Sequence, residues 1–109
     1  MPEKPSELVQ GTLEMLILKT LALEPMHGFG IAQRIEQISK GVFRVNPGSL
    51  FPAFNRLERA GHIKAEWRST ENNRRAKYYV LTSSGRKALR EETHKWGRQI
   101  TAITRILEA

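Results

Sequence analysis

Apolar residues recur at helical spacing over residues 6–23, which predicts a first helix with Ser6 as its N-cap. The pattern breaks at residues 24–28, where Pro and Gly favour a tight connection. A second helix follows and is expected to end at Gly41. Its apolar stripe consists of Ile31, Ile35 and Ile38.

Residues 42–45 are predicted to be a short extended segment, and a third helix is predicted over residues 49–60. With Ser49 as the N-cap, Pro52 lies in the first helical turn, where its missing N–H removes no hydrogen bond. Gly61 stands where a C-terminal cap is expected. The inner stripe of this helix is Leu50, Phe54 and Leu57.

A β-hairpin and a long helix are predicted for the rest of the chain. Polar and apolar residues alternate over residues 63–68, and a polar turn separates this strand from a returning strand over residues 76–82. One face of the first strand carries Ile63, Ala65 and Trp67. Residues 83–109 are helical, with a heptad seam formed by Leu89, Thr93, Trp96, Ile100, Ile103 and Leu107.

Three helices followed by a β-hairpin are typical of a winged helix-turn-helix. The predicted fold is mainly α with a small β-hairpin: a winged helix-turn-helix over residues 1–82 plus a C-terminal dimerisation helix over residues 83–109, in a single structural unit. The six seam residues need either the core of their own chain or a second copy to cover them. A dimer would place two third helices about 34–36 Å apart, which matches half-sites one DNA turn apart.

Length and composition fit this picture. The chain has 109 residues, 39% of them hydrophobic, which allows one domain. Without Cys the chain has no disulfide or thiolate site, which fits a reducing cytoplasm. Residues 1–10 lack the features of a signal peptide, and no apolar run reaches the roughly 18–20 residues of a membrane span. We therefore expect a cytoplasmic protein.

The positive charge is concentrated in one part of the chain. The net charge of +7 divides into −2 for residues 1–39 and +9 for residues 40–109. This polarity favours one positive face for a polyanionic partner or an anionic membrane surface. An ordinary solvated Lys/Arg surface is the alternative interpretation.

The third helix and the hairpin carry side chains suited to double-stranded DNA. Gly48 and Ser49 would let backbone N–H groups at the helix N-terminus approach a phosphate. The polar residues off the inner stripe are Asn55, Arg56 and Arg59. Asn suits adenine edges, whereas Arg suits guanine or phosphate. The cations of the hairpin, expected at phosphates or in a narrow minor groove, are Arg74, Arg75 and Lys77.

No enzyme or metal site is predicted. His27, His62 and His94 lack the spacing of metal ligands, and His27 is expected to be a structural turn residue. Residues 28–30 form a lone GxG with no preceding strand, and Ser49 has no nucleophile-elbow context. The sequence therefore predicts no catalytic residue and no cofactor.

The motifs, taken together, resemble those of PadR-family transcriptional regulators across roughly residues 8–109. The matching segments are Gly11-Thr12-Leu13, His27-Gly28-Phe29-Gly30-Ile31, Gly48-Ser49-Leu50-Phe51-Pro52-Ala53-Phe54-Asn55-Arg56-Leu57, Asn73-Arg74-Arg75-Ala76-Lys77-Tyr78-Tyr79, Leu81-Thr82 and Gly85. The single C-terminal helix resembles the short-tailed members. Tyr is common in the family where Phe51 and Phe29 stand here, so the hydroxyl that could reach a phosphate is missing at Phe51.

The resemblance implies a bacterial homodimeric repressor that binds an inverted-repeat operator. The predicted DNA contacts are Gly48, Ser49, Leu50, Phe51, Pro52, Asn55, Arg56, Arg59, Arg74, Arg75 and Lys77. In short-tailed members the C-terminal helices can frame an inducer cavity. Trp96 is therefore either plain interface core or the lining of a pocket for a small aromatic or apolar effector. The alternative function is a winged-helix protein-interaction module without its own operator.

Overall fold

The computed structural model of the protein describes residues 11–109, which form four helices and a three-stranded antiparallel sheet. The elements are α1 (Leu13–Leu23), β1 (Met26–His27), α2 (Gly28–Ile38), α3 (Pro47–Arg59), β2 (Ile63–Ser69), β3 (Arg75–Leu81) and α4 (Ser83–Leu107). This architecture confirms the predicted fold class, mainly α with a small β-hairpin.

The start of α1 differs from the prediction. The predicted N-cap Ser6 lies outside the described residues. Gly11 has a φ of +88°, which a right-handed helix cannot include, and α1 begins only at Leu13. The helix therefore does not run without interruption from residue 6 to residue 23.

The sheet has the strand order β1-β3-β2. Strands β2 and β3 form the predicted hairpin, with Ala65 opposite Tyr79, and β1 pairs with β3 on the other side through Met26. The short extended segment predicted at residues 42–45 contains a single β-bridge residue, Phe43, and is not one of the three strands of this sheet. Phe43 donates its backbone N–H to the Ser39 hydroxyl oxygen at 3.1 Å.

The core lies between the first three helices and the sheet. Its largest fully buried side chains are Phe54, Ile17 and Ile31. Ile38 was predicted on the inner stripe of α2 but is 60% exposed. The helix ends at this residue, and the chain then turns away through Lys40 and Gly41, both in the left-handed region.

The N-terminus of α3 is also corrected. Asn46, not Ser49, caps the helix, because its side-chain oxygen accepts the Gly48 N–H at 2.8 Å. Pro47 occupies the first helical turn, so Pro52 lies in the helix interior. Pro52 and Gly48 are both exposed, which lets water hydrate the carbonyl that Pro52 leaves without a partner.

Residues 60–62, at the end of α3, contact residues 82–85, at the start of α4, and this contact connects the two helices. Gly61 has a φ of +77° just after α3, as expected for a C-terminal cap. The Thr82 hydroxyl donates to the Gly61 carbonyl at 2.6 Å and accepts the Gly85 N–H at 3.0 Å. One threonine therefore caps α4 and ties it to the end of α3.

Candidate nucleic-acid interface

The outward face of α3 carries most of the predicted contact residues. Its exposed members are Gly48, Ser49, Phe51, Pro52, Asn55, Arg56 and Arg59. Leu50 is only 3% exposed and lies in the core. The structure therefore corrects the assignment of Leu50 to the contact surface and confirms its assignment to the inner stripe.

The backbone N–H groups at the start of α3 already have partners. The Gly48 N–H donates to the Asn46 side chain, and the Ser49 N–H donates to the Asn46 carbonyl at 2.9 Å. These two groups are therefore not available for the phosphate contact that the sequence suggested. The exposed Ser49 hydroxyl is the remaining polar group of that pair.

Two of the predicted contact cations form ion pairs inside the chain. Arg56 Nε lies 2.7 Å from a carboxylate oxygen of Glu14, which links α3 to α1. Lys77 Nζ lies 3.6 Å from Glu58, which links β3 to α3. All four side chains are partly exposed, and such pairs contribute at most about 1 kcal/mol. An anion that binds more strongly can therefore displace the carboxylate from either cation.

The remaining cations are not neutralised in this way. Within residues 11–109, no ion pair involves Arg59, Arg74 or Arg75. All three are exposed, and the last two lie at the tip of the hairpin. Three cations without acidic partners among the described residues therefore lie on α3 and the β2–β3 hairpin, the two elements that the sequence predicts to contact DNA.

The β2–β3 hairpin, called the wing below, has an ordered tip. Asn73 adopts a left-handed φ of 59°, and the Thr70 N–H donates to the Arg74 carbonyl at 2.7 Å. The Arg75 guanidinium lies 5.5 Å from the centre of the Trp67 ring, within the range of a cation–π contact. These contacts order the backbone of the tip and place the Arg75 guanidinium against Trp67.

Trp67 and Arg68 have surroundings that the strand alternation did not predict. Trp67 shares a face with buried Ile63 but is 60% exposed, because the wing extends past the core. Arg68 hydrogen-bonds to Glu66 at 2.9 Å, and this hydrogen bond lowers the pKa of the Glu66 carboxyl. Glu66 therefore stays ionised and keeps Arg68 partly neutralised.

His27 has the structural role that the sequence predicted. Its Nδ1 accepts the Gly30 N–H at 3.1 Å and so caps α2, and its ring meets Tyr78 edge-on at 5.7 Å. No group of three or more metal-ligating side chains occurs in the part of the chain that the structure describes. None of the helices in that part is long and apolar enough to span a membrane.

The predicted seam of α4 divides into two parts. Leu89 is partly buried against the core of its own chain, which is the first of the two alternatives that the sequence left open for the seam. Trp96 is half-buried and lines a cavity of about 180 Å³ together with Thr12 and Met15 near the start of α1. The other seam residues are exposed: Thr93, Ile100, Ile103 and Leu107.

Two further exposed apolar side chains lie outside the set of functional residues that the sequence predicts. Ile106 is 74% exposed on the same end of α4 as Ile103, three residues away. Phe29 is 68% exposed in the first turn of α2. Its place off the buried stripe of Ile31 and Ile35 could have identified it as a surface residue.

The wing, the Asn46-capped helix α3 and the long helix α4 together point to one protein family. Residues 17–91, well over half of the chain, match the Transcriptional regulator PadR-like family. The chain belongs to this family. This PadR-like protein is thus a transcriptional regulator and not an enzyme.

Individual relatives agree with this assignment. A transcriptional regulator of Mycobacterium tuberculosis is 33% identical over 86 residues, which cover 79% of this chain and 77% of that protein. A PadR family transcriptional regulator from Eggerthella lenta is 29% identical with a TM-score of 0.77, covering 92% of this chain and 85% of that one. A PadR-like regulator from Bacillus cereus has the same fold, with a TM-score of 0.81 at 24% identity over 92% and 95% of the two chains.

Proposed function

We propose that this PadR-like regulator binds an inverted-repeat operator as a homodimer and represses transcription. The observation that carries the proposal is the exposed set of Asn55, Arg59, Arg74 and Arg75, which lies on α3 and the wing without acidic partners among the described residues. A dimer seated on a repeat that overlaps a promoter excludes RNA polymerase. Such a protein acts in the cytoplasm, where the chromosome lies.

The proposed contacts follow from the chemistry of the exposed side chains. With α3 in the major groove, the Asn55 amide suits an adenine edge, and the Arg59 guanidinium suits guanine or a phosphate. The wing brings Arg74 and Arg75 to the adjacent backbone or minor groove. Arg56 and Lys77 join the interface by exchanging Glu14 and Glu58 for phosphates, at a small cost for each exposed pair.

The far end of α4 supports the homodimer. Ile100, Ile103, Ile106 and Leu107 are between 47% and 79% exposed, and they cluster within eight residues at one end of the helix. Contiguous exposed apolar surface of this kind marks an interaction site. A second copy of α4 would cover it, and the pairing would also set the separation of the two recognition helices.

Salt dependence and two alanine variants test the proposed DNA contacts. DNA fragments selected by the protein from a random pool should be bound less tightly as salt rises, by about 0.9 log units per neutralised phosphate per log unit of salt. Arg74→Ala should weaken binding to all sequences alike and reduce this slope. Asn55→Ala should instead relax the preference at one base pair per half-site, which is worth about 1–3 kcal/mol.

The reverse pattern for the two variants would contradict the roles assigned to Arg74 and Asn55. A flat salt dependence, together with the absence of any selected inverted repeat, would contradict the proposed function itself. That result would favour a protein-interaction module. Circular dichroism of each variant serves as the control for folding, since both side chains are exposed.

We further propose that a planar apolar effector binds beside Trp96 and releases the DNA. Such a ligand must bind more tightly to the conformation that does not bind DNA.

The chain has two Trp residues, so Trp67→Phe leaves Trp96 as the fluorescent reporter. Planar apolar compounds should quench its emission, and the same compounds should weaken DNA binding. If no compound of a broad set quenches this emission, Trp96 is an ordinary packing residue and the proposed effector site is wrong.

A further inference from the structure

The notch between α3 and the wing is largely apolar, although Lys77 of the wing is among its lining residues. It contains a cavity of about 350 Å³, whose aromatic lining is Phe29, Phe51, Phe54 and Tyr79. Phe54 and Tyr79 belong to the buried core, whereas Phe29 and Phe51 are 68% and 59% exposed. The chain therefore presents large apolar side chains within a surface that is otherwise polar and positive.

Of the two exposed phenylalanines, Phe51 lies on α3. It precedes Asn55 by one helical turn, so both side chains lie on the same side of the helix. Its ring meets the Phe54 ring edge-on, with centres 6.3 Å apart and an angle of 88° between the planes. Since Phe54 is fully buried, it provides a fixed support for the exposed ring of Phe51.

A phenyl ring at this place can recognise one kind of group in a major groove. It has no donor or acceptor, so it forms no hydrogen bond to a phosphate or to a polar base edge. Thymine presents a C5-methyl group there, and Phe is suited to contact it. Cytosine at the same position has a hydrogen at C5 in place of the methyl group, so the apolar contact is lost.

We propose that Phe51 contacts the C5-methyl group of a thymine in each operator half-site. The inference rests on the proposed function, since it needs α3 in the major groove. One helical turn is about 5.4 Å and base pairs are about 3.4 Å apart, so this thymine lies one or two base pairs from the base that Asn55 contacts. Phe51 thereby determines part of the sequence specificity without a hydrogen bond.

The test removes single methyl groups from the DNA. Each thymine of a fragment selected by the protein from a random pool is replaced by deoxyuridine, symmetrically in both half-sites, and binding is measured by fluorescence anisotropy. For wild-type protein, replacement at one thymine position should weaken binding by about fourfold per half-site, and thus by about sixteenfold for the symmetric replacement, as expected for one apolar carbon withdrawn from each half of the interface. With Phe51→Ala, the same replacement should have no effect.

Phe29→Ala is the matched control, because it removes the same ring from the same notch but from α2. It should retain the wild-type sensitivity to deoxyuridine, about fourfold per half-site. The inference is overturned if no thymine is sensitive in wild-type protein, or if Phe51→Ala is as sensitive as wild type while still binding and folded. Absence of specific binding to any DNA would instead overturn the proposed function, and the inference with it.

Discussion

Replacing Ile103 by Asp is expected to convert the proposed dimer into a folded monomer and to weaken operator binding by about a hundredfold or more. Ile103 is 51% exposed on the far end of α4, so the charge leaves the core of the chain undisturbed. In the dimer the same carboxylate would be buried against apolar side chains of the second copy, which is unfavourable without a partner charge. Light scattering after size-exclusion chromatography gives the mass, and anisotropy gives the affinity.

Thr101→Asp is the matched control. It places the same charge on the same helix, but two residues away and thus on nearly the opposite side from Ile103. It should leave the mass unchanged. If Ile103→Asp stays dimeric and binds the operator normally, the exposed end of α4 has another function and the proposed dimer interface is wrong.

The second large effect is expected on folding, from Gly85→Ala. Gly85 is buried in the first turn of α4, and a Cβ there would overlap the backbone carbonyl of His62 and lie 2.6 Å from the Leu81 side chain. Because the backbone cannot move away without breaking the link between α3 and α4, we expect the free energy of unfolding to fall by about 3 kcal/mol. Urea denaturation at a fixed protein concentration measures the change.

Gly97→Ala provides the comparison within the same helix. Apart from the adjacent backbone of α4 itself, no atom of residues 11–109 lies within 4 Å of a Cβ built on Gly97. The substitution should therefore raise the free energy of unfolding, by up to about 1 kcal/mol from helix propensity. Equal effects of the two substitutions would show that the close approach of Gly85 to His62 does not determine the stability of this junction.

The sequence patterns predicted most helices, strands and caps correctly, because the formation of each of these depends mainly on residues that are close together in the sequence. The hairpin, the C-terminal cap at Gly61 and the start of α4 after Thr82 were all predicted from a few adjacent residues. The capping of α2 by His27 is of the same kind. The prediction of Ser49 as the N-cap of α3 is wrong because the Asn46-Pro47 pair, which is typical of a turn, also has the residue types that start a helix.

The sequence by itself determined the class of protein: the order of the elements, the polarised charge and the motifs around Gly48 and Arg74 identify a PadR-like regulator. The tertiary structure decided which of those side chains are accessible. Arg56 and Lys77 are paired with acids distant in sequence, Leu89 packs on its own core, and Phe51 is exposed beside Phe29. The physical reason is that pairing and burial depend on segments brought together by folding, which periodicity along one segment cannot show.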